Sequence, residues 1–299
     1  MNKLLQIEVL VEVVRSGSFV GAAEVLGMSK AAVSRHVSEL EARLGMRLLQ
    51  RTTRRLALTE AGQIFHARSK DILDSVSESE DEISTQTGTA SGQLRISAPV
   101  TFGVRHLAPL WGEFRRRHPK VTLDITLADR VVDLIEEGYD LAIRIGRLSS
   151  STLVSRRLAI TRMVLCAAPD YLAAHGTPRH PHELAGHEIL AYSYWSDKDE
   201  WRFDGPEGAV SVRTQPCLSS NSGDTCRAAA LACQGVILQP SFLVDTDLAA
   251  GTLVELMPEY RAVELGIYAV YPTRKHVPAK VRALLDFLGE RFGDAGRFR

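Results

Sequence analysis

Between residues 30 and 55 the chain places Lys30, Arg35, Arg43, Arg47, Arg51, Arg54 and Arg55 against only Glu39 and Glu41, although its 299 residues carry a formal net charge of zero. A basic cluster inside a neutral chain is a local electrostatic footprint of the kind that meets phosphate. Within it, Ser29, Lys30, Ala31, Ser34, Arg35 and Ser38 carry side chains suited to the edges of bases. Arginine bonds guanine bidentately, serine donates or accepts, and an alanine methyl packs on a thymine methyl. Arg51, Thr52, Arg54 and Arg55 suit a second task, contacting backbone phosphates or inserting an arginine into a narrow minor groove.

Such side chains can act together only if a helix presents them. Leu4, Ile7, Leu10, Val11 and Val14 recur at helical spacing, and the pattern stops at Ser16-Gly17. Ser18 is placed to cap a second helix carrying Ala22, Ala23, Val25 and Leu26, which Gly27 ends. Ser29 caps a third, with Val33, Val37, Leu40 and Leu44 on one face and Gly45 closing it. Two helices joined by a tight glycine turn make a helix-turn-helix, whose second helix enters the major groove by its N-terminal end. Leu48, Leu49, Leu56 and Leu58 bracket the Arg51–Arg55 stretch as a small β-wing. A merely solvated polar face accounts for each of these residues singly, but not for that spacing together with a basic wing.

The stretches Gly17-Ser18-Phe19-Val20-Gly21-Ala22-Ala23 and Leu26-Gly27-Met28-Ser29-Lys30-Ala31-Ala32-Val33-Ser34-Arg35 resemble the signature of LysR-type transcriptional regulators. So do Leu40-Glu41-Ala42-Arg43-Leu44-Gly45, Leu48-Leu49-Gln50-Arg51-Thr52-Thr53-Arg54 and Leu58-Thr59-Glu60-Ala61-Gly62, at matching spacing and without insertions. Lys30 departs from the pattern, since the family more often carries a glutamine there. Lysine shifts that position toward a phosphate or guanine contact.

Thr59 is a good N-cap, and Glu60 opposes the dipole of the helix it opens. Ile64, Phe65, Ile72, Leu73, Val76 and Ile83 then form a stripe that must be buried, either on the rest of the chain or on a second copy. The resemblance implies the second option, an antiparallel linker-helix dimer that presents two recognition helices to a pseudo-palindromic operator on double-stranded DNA. The small, polar segment from Thr85 to Gly92 reads as a hinge. The expected domains are therefore 1–58 (winged helix-turn-helix), 59–91 (linker helix and hinge) and 92–299 (regulatory).

In the last of these, strand and helix patterns alternate. Gln93–Ala98, Val121–Leu127 and Tyr139–Ile145 read as strands, with helices at 103–117 and 131–137, implying an α/β sheet of parallel strands. A second unit spans about 166–266, and a strand (Gly266–Tyr271) and helix (Ala279–Phe292) return to the first. The fold expected is α/β: an N-terminal winged helix-turn-helix, a long linker helix and a C-terminal two-lobed domain that resembles periplasmic binding proteins. Lobe I would span about 92–165 and 267–299, and lobe II about 166–266. The stretches 97–103, 133–146 and 240–243 resemble the CrgA-like branch of LysR-type effector domains.

In such a fold a ligand lies between the lobes at strand carboxyl ends. That places Val100, Thr101, Phe102, Ala128, Asp129, Arg144 and Gly146 on one side, with Asn221 and Gln239 on the other. The amides of Val100–Phe102 and the Thr101 hydroxyl could hold a carboxylate, as could Arg144, which alternates out of phase with Leu141, Ile143 and Ile145. Equally, Arg144 could pair with Asp140 or Asp133. A small carboxylate or aromatic acid is the expected effector. Tyr192, Tyr194, Trp195 and Trp201 read as packing two strands of the second lobe rather than lining the cleft.

Other chemistry finds little support. Cys166, Cys217, Cys226 and Cys233 form no CxxC pair. A thiol-based redox sensor on the same scaffold is the alternative, with Cys226 and Cys233 two turns apart on one helix. That is about 10.5 Å, too far for a disulfide unless the helix unfolds. His175, His180, His182 and His187 are spaced too loosely for a metal site, and neither GxSxG, a phosphate loop, HExxH nor a strand-borne GxGxxG occurs. No enzyme activity and no cofactor are expected. Neither a signal peptide nor a run of roughly 18 apolar residues is present, so a cytoplasmic protein without membrane contact is expected, assembling as a homodimer or homotetramer.

Overall fold

The computed structural model describes residues 2–51, 56–86, 90–147, 153–194, 200–272, 277–293 and 297–298. The chain forms two compact units, 1–87 and 88–299.

In the first unit, α1 (Lys3–Arg15), α2 (Phe19–Leu26) and α3 (Lys30–Leu44) precede a two-stranded antiparallel wing, β1 (Leu49–Arg51) and β2 (Leu56–Leu58), and the long α4 (Glu60–Gln86). The serine caps form as the sequence predicts: the Ser18 hydroxyl accepts from the Gly21 amide at 3.0 Å, and that of Ser29 from Ala32 at 3.2 Å. Gly27 and Gly45 end α2 and α3 in the left-handed region, at φ +62° and +68°. Val9, Leu10, Val13, Ala22, Val33, Val37 and Leu40 are fully buried together. On α1 the buried face is rotated from the expected one. Val9 and Val13 are inside and Leu4 is exposed, because Gln6 and Glu12 also turn inward, Glu12 to accept from the Ser16 hydroxyl and pair with Arg15.

Thr59 caps α4 through the Gly62 amide at 2.9 Å and donates its own hydroxyl to the Arg47 carbonyl at 2.8 Å. Gly62 is required for contact rather than for conformation. A Cβ there would lie 2.0 Å from the Leu48 carbonyl oxygen, a backbone atom that cannot swing away. Glu41 completes this joint by accepting from the Leu48 and Leu49 amides.

The second unit is a mixed α/β fold. It opens with β3 (Gly92–Ala98), then α5 (Val100–Phe102), which runs through a π-helical stretch, Gly103–Leu107, into α6 (Ala108–Arg117). Next come β4 (Val121–Leu127), β5 (Leu141–Gly146), the long β6 (Val154–Ala167), α7 (Pro169–His175), a 3-10 turn, β7 (Ile189–Tyr192), β8 (Glu200–Gly205), β9 (Gly208–Arg213) and β10 (Pro216–Ser220). The remainder is α8 (Gly223–Leu231), β11 (Ile237–Pro240), α9 (Ser241–Ala250), β12 (Val254–Glu255), β13 (Arg261–Ala262), β14 (Glu264–Tyr271), α10 (Ala279–Gly293) and β15 (Arg297–Phe298).

The main sheet runs β11-β6-β14-β5-β3-β4, with β12 and β15 also on β6. As expected, β3, β4 and β5 run parallel, and β15 runs parallel to β6, whereas β14 runs antiparallel to β5 and β6, so the sheet as a whole is mixed. The reason is β6, which crosses the whole unit. Its residues Val154–Arg162 pair with β14, and Met163–Cys166 pair with β11. The helix expected at 131–137 is instead a turn. The Asp133 carboxylate accepts from the Ile135 and Glu136 amides, and Gly138 follows at φ +70°, so side-chain bonds replace a helical ladder. Likewise α8 stops at Leu231, and Cys233 lies beyond it at φ +59°, so Cys226 and Cys233 do not share a helix.

No helix among the described residues is long and apolar enough to cross a membrane.

A candidate DNA-reading helix and a candidate effector cavity

On α3 the buried Val33, Val37 and Leu40 fix which face is outward. Lys30, Ala31, Arg35 and Ser38 are exposed on that face and Ser34 is half-buried beside them. Ser29 is exposed as well, but its hydroxyl is committed to the cap. Arg35 reaches Glu39 at a loose 3.8 Å with its side chain 68% exposed, a geometry worth little energy that leaves the guanidinium available. Arg51 lies on β1, whereas Thr52, Arg54 and Arg55 of the wing tip lie outside the described residues.

In the second unit, a cavity of about 630 Å³ opens at the carboxyl ends of β3, β4 and β5 and reaches β11. Thr101, Phe102, Ala128, Asp129, Arg144, Gly146 and Gln239 line it. Of the expected residues, Val100 and Asn221 do not. Asn221 is exposed just ahead of α8, where Ser222 makes the cap by accepting from the Thr225 amide, and Gly223 is the residue that faces the cavity. Lining residues that sequence reasoning missed include Met163, Leu238, Leu243, Val263, Leu265, Tyr192 and Tyr194. The two tyrosines were legible as an aromatic cluster but were assigned to strand packing. They line the cavity instead, edge to face with ring centroids 5.9 Å apart, while Trp201 is buried in the core and Trp195 lies outside the described residues.

The chain itself fills the expected carboxylate cradle. The Val100 amide donates to the Asp129 carboxylate at 2.9 Å, and the Thr101 hydroxyl donates to Asp224 at 2.5 Å. Burial pushes the Asp129 carboxyl above its ordinary range, the Val100 amide partly opposes this, and the charge of Asp224 adds to the rise. Its charged form is therefore disfavoured in the fold. Asp129→Asn, which can keep the amide acceptor for Val100, should raise the melting temperature at pH 7. A carboxyl with a raised folded pKa carries its full penalty above that value and none below its ordinary value of 3.8. The gain should fade as pH falls through the raised range, and a variant less stable than the parent at pH 7 would refute it.

Arg144 is half-buried and donates to the Val132 carbonyl; burial lowers its pKa, and Asp133 opposes that shift. Asp140 is not its partner, being held by Lys280 at 3.1 Å and the Arg95 amide at 2.8 Å. Behind the cavity, Phe102 packs against Phe242 and Phe292, and its neighbour Arg105 bonds the Leu243 carbonyl at 3.0 Å. The irregular backbone of 103–107 thus joins the first strand's helix to α9.

Residues 4–63 match the bacterial regulatory helix-turn-helix proteins of the lysR family, and residues 87–293 match the LysR substrate binding domain. The chain belongs to the LysR family. This LysR-type transcriptional regulator is 37% identical over 290 residues to the regulator CrgA of Neisseria meningitidis, covering 97% of each chain. It is 36% identical over 284 residues to a helix-turn-helix transcriptional regulator of Haemophilus influenzae, covering 95% of this chain and 99% of that one. Its structure is similar to that of CrgA, with a TM-score of 0.63 at 36% identity over 98% and 99% of the two chains. The full-length virulence activator AphB of Vibrio cholerae also gives 0.63, at 28% identity over 96% and 98%.

Proposed function

We propose that this LysR-type regulator reads a pseudo-palindromic operator as a homodimer or homotetramer and is switched by a small molecule held in the 630 Å³ cavity. The observation that carries the DNA half is the division of α3, with Val33, Val37 and Leu40 at 0% exposure and Lys30, Ala31, Arg35 and Ser38 outward. Ser34 and Arg35 read base edges, and Lys30, Arg51, Thr52, Arg54 and Arg55 position the protein on phosphates. Assembly rests on α4, whose Phe65 packs into its own unit while Ile64 and Ile72 stay 64% and 47% exposed, apolar surface that a second copy would cover.

In the regulatory unit, lobe I (about 92–165 and 267–299) and lobe II (about 166–266) would change their relative angle around the effector. Such a ligand shifts the equilibrium only by its difference in affinity for the two arrangements. An acidic effector keeps Arg144 as its support and loses the Val100–Thr101 cradle, which Asp129 and Asp224 occupy. The thiol-sensing alternative loses two of its four cysteines to burial, which pushes the Cys166 thiol up to about 12 and also raises that of Cys226, whereas Cys217 and Cys233 are exposed.

The test is a gel-shift titration on the intergenic DNA beside the gene, with random DNA as control and salt varied. Preferred binding that weakens steeply with salt is expected, since each neutralised phosphate adds roughly one to the log–log slope. Absence of binding to any DNA at low salt would refute the reading.

A further inference from the structure

Gln239 is 2% exposed, lines the cavity, and its Nε2 meets no hydrogen-bond acceptor among the described residues. A buried amide donor left unpaired loses its hydration without replacement, so a ligand acceptor there would be favoured. It stands beside Gly223, where an added Cβ would come within 3.2 Å of the Gln239 Oε1. The next residue, Asp224, bonds Thr101, and Asp129 caps Val100 from the facing strand end. One end of the cavity therefore holds an unused donor and one carboxylate, Asp129, and the lining Thr101 is bonded to a second, Asp224.

Neither carboxylate has an ion-pair partner among the described residues. Of the nearby cations, Arg227 bonds Asp247 at 2.5 and 2.7 Å while its charge also acts on Asp224, and Arg130 bonds Glu137 at 2.8 and 2.5 Å. Tyr192, another lining residue, sits close enough to Asp129 for that charge to act on its phenol, so a tyrosine borders the same end. Carboxylate and aromatic ring together favour an ammonium, whereas a bare anion placed there would meet like charge. Beyond that end the wall joins Phe102, Met163 and Leu238, which suit an apolar or aromatic body, to the guanidinium-bearing Arg144 and Arg147.

We propose that the effector is a primary amine with an acceptor oxygen close by, its ammonium toward Asp129 and its oxygen on the Gln239 amide, attached to an apolar body. This deepens the cavity reading above and rests on it.

The test uses the full chain and three probes sharing one phenyl body, followed by calorimetric titration and thermal shift. Phenylalaninamide carries ammonium and carbonyl, phenethylamine carries ammonium alone, and 3-phenylpropionate carries a carboxylate alone. The expected order is phenylalaninamide, then phenethylamine, then 3-phenylpropionate, with at least tenfold between the first and last, or about 1.4 kcal/mol. Asp129→Asn should weaken both amines about tenfold while leaving the acid unchanged or tighter. Gln239→Leu, which supplies no donor, should bring phenylalaninamide down to the affinity of phenethylamine. Binding of the acid as tight as that of the amines, or amine affinities indifferent to Asp129→Asn, would overturn the proposal and leave the cavity reading standing. Failure of all three probes to bind at about 10 mM would overturn the proposal as well.

Discussion

Phe102→Ala is expected to destabilise the regulatory unit by about 3–5 kcal/mol, the range for emptying a buried phenylalanine site. Phe102 is 0% exposed, and its ring lies 5.4 Å from Phe242, 5.1 Å from His106 and 5.7 Å from Phe292. Those partners come from α9, the π-helical stretch and α10, which the truncation would leave facing a void. Collapse is resisted because Phe242 and Phe292 are themselves buried and held by the sheet. Urea unfolding followed by tryptophan fluorescence reads this directly, since Trp111, Trp195 and Trp201 all belong to this unit. A loss below about 1 kcal/mol would mean that the neighbours close the space and that the ring is not structural. Because Phe102 also lines the cavity, the same variant should widen it and weaken the phenyl-bodied amines.

The second large effect is on DNA. Arg35→Ala should reduce affinity for the operator roughly 5- to 150-fold, the equivalent of about 1–3 kcal/mol for a bidentate base contact, with binding to random DNA little changed. Its fold cost is small, because the one ion pair that it breaks is loose and exposed. Arg54→Ala should behave differently, weakening operator and random DNA alike and lowering the salt slope by about one. Gel shifts on both DNAs at several salt concentrations separate the two. Equal losses on both DNAs for both variants would abolish the division between base-reading helix and phosphate-contacting wing.

The first unit was the more legible of the two, for a physical reason. Caps, glycine stops and the Val33–Val37–Leu40 spacing act over three or four residues, so serine and glycine positions alone locate α2 and α3. The exception was α1, where local hydrophobicity favoured a face with Leu4 and Val14, and tertiary contacts turned Gln6 and Glu12 inward instead. In the second unit β3, β4, β5 and β14 were legible, as was the parallel run of the first three, but β6 and the place of β14 were not. An antiparallel β14 between β5 and β6 is a contact between segments about 100 residues apart, to which no local pattern refers.

Seven of the nine residues expected at the cavity do line it, because strand ends in an α/β fold converge wherever the loops go. What the sequence does not show is that the Val100 amide and Thr101 hydroxyl are already engaged, since a free donor looks the same whether or not a carboxylate from 29 or 123 residues away answers it. The sequence by itself determined the family, the two kinds of unit and the helix whose outward face carries Lys30, Ala31, Arg35 and Ser38, all carried by short-range spacing and side-chain type. Only the tertiary structure decided that Gly62 must lack a side chain against Leu48, that Asp129 and Asp224 close the helix end, and that Gln239 keeps a buried donor unpaired. Those are distances between residues remote in the chain, and they exist only once the chain has folded.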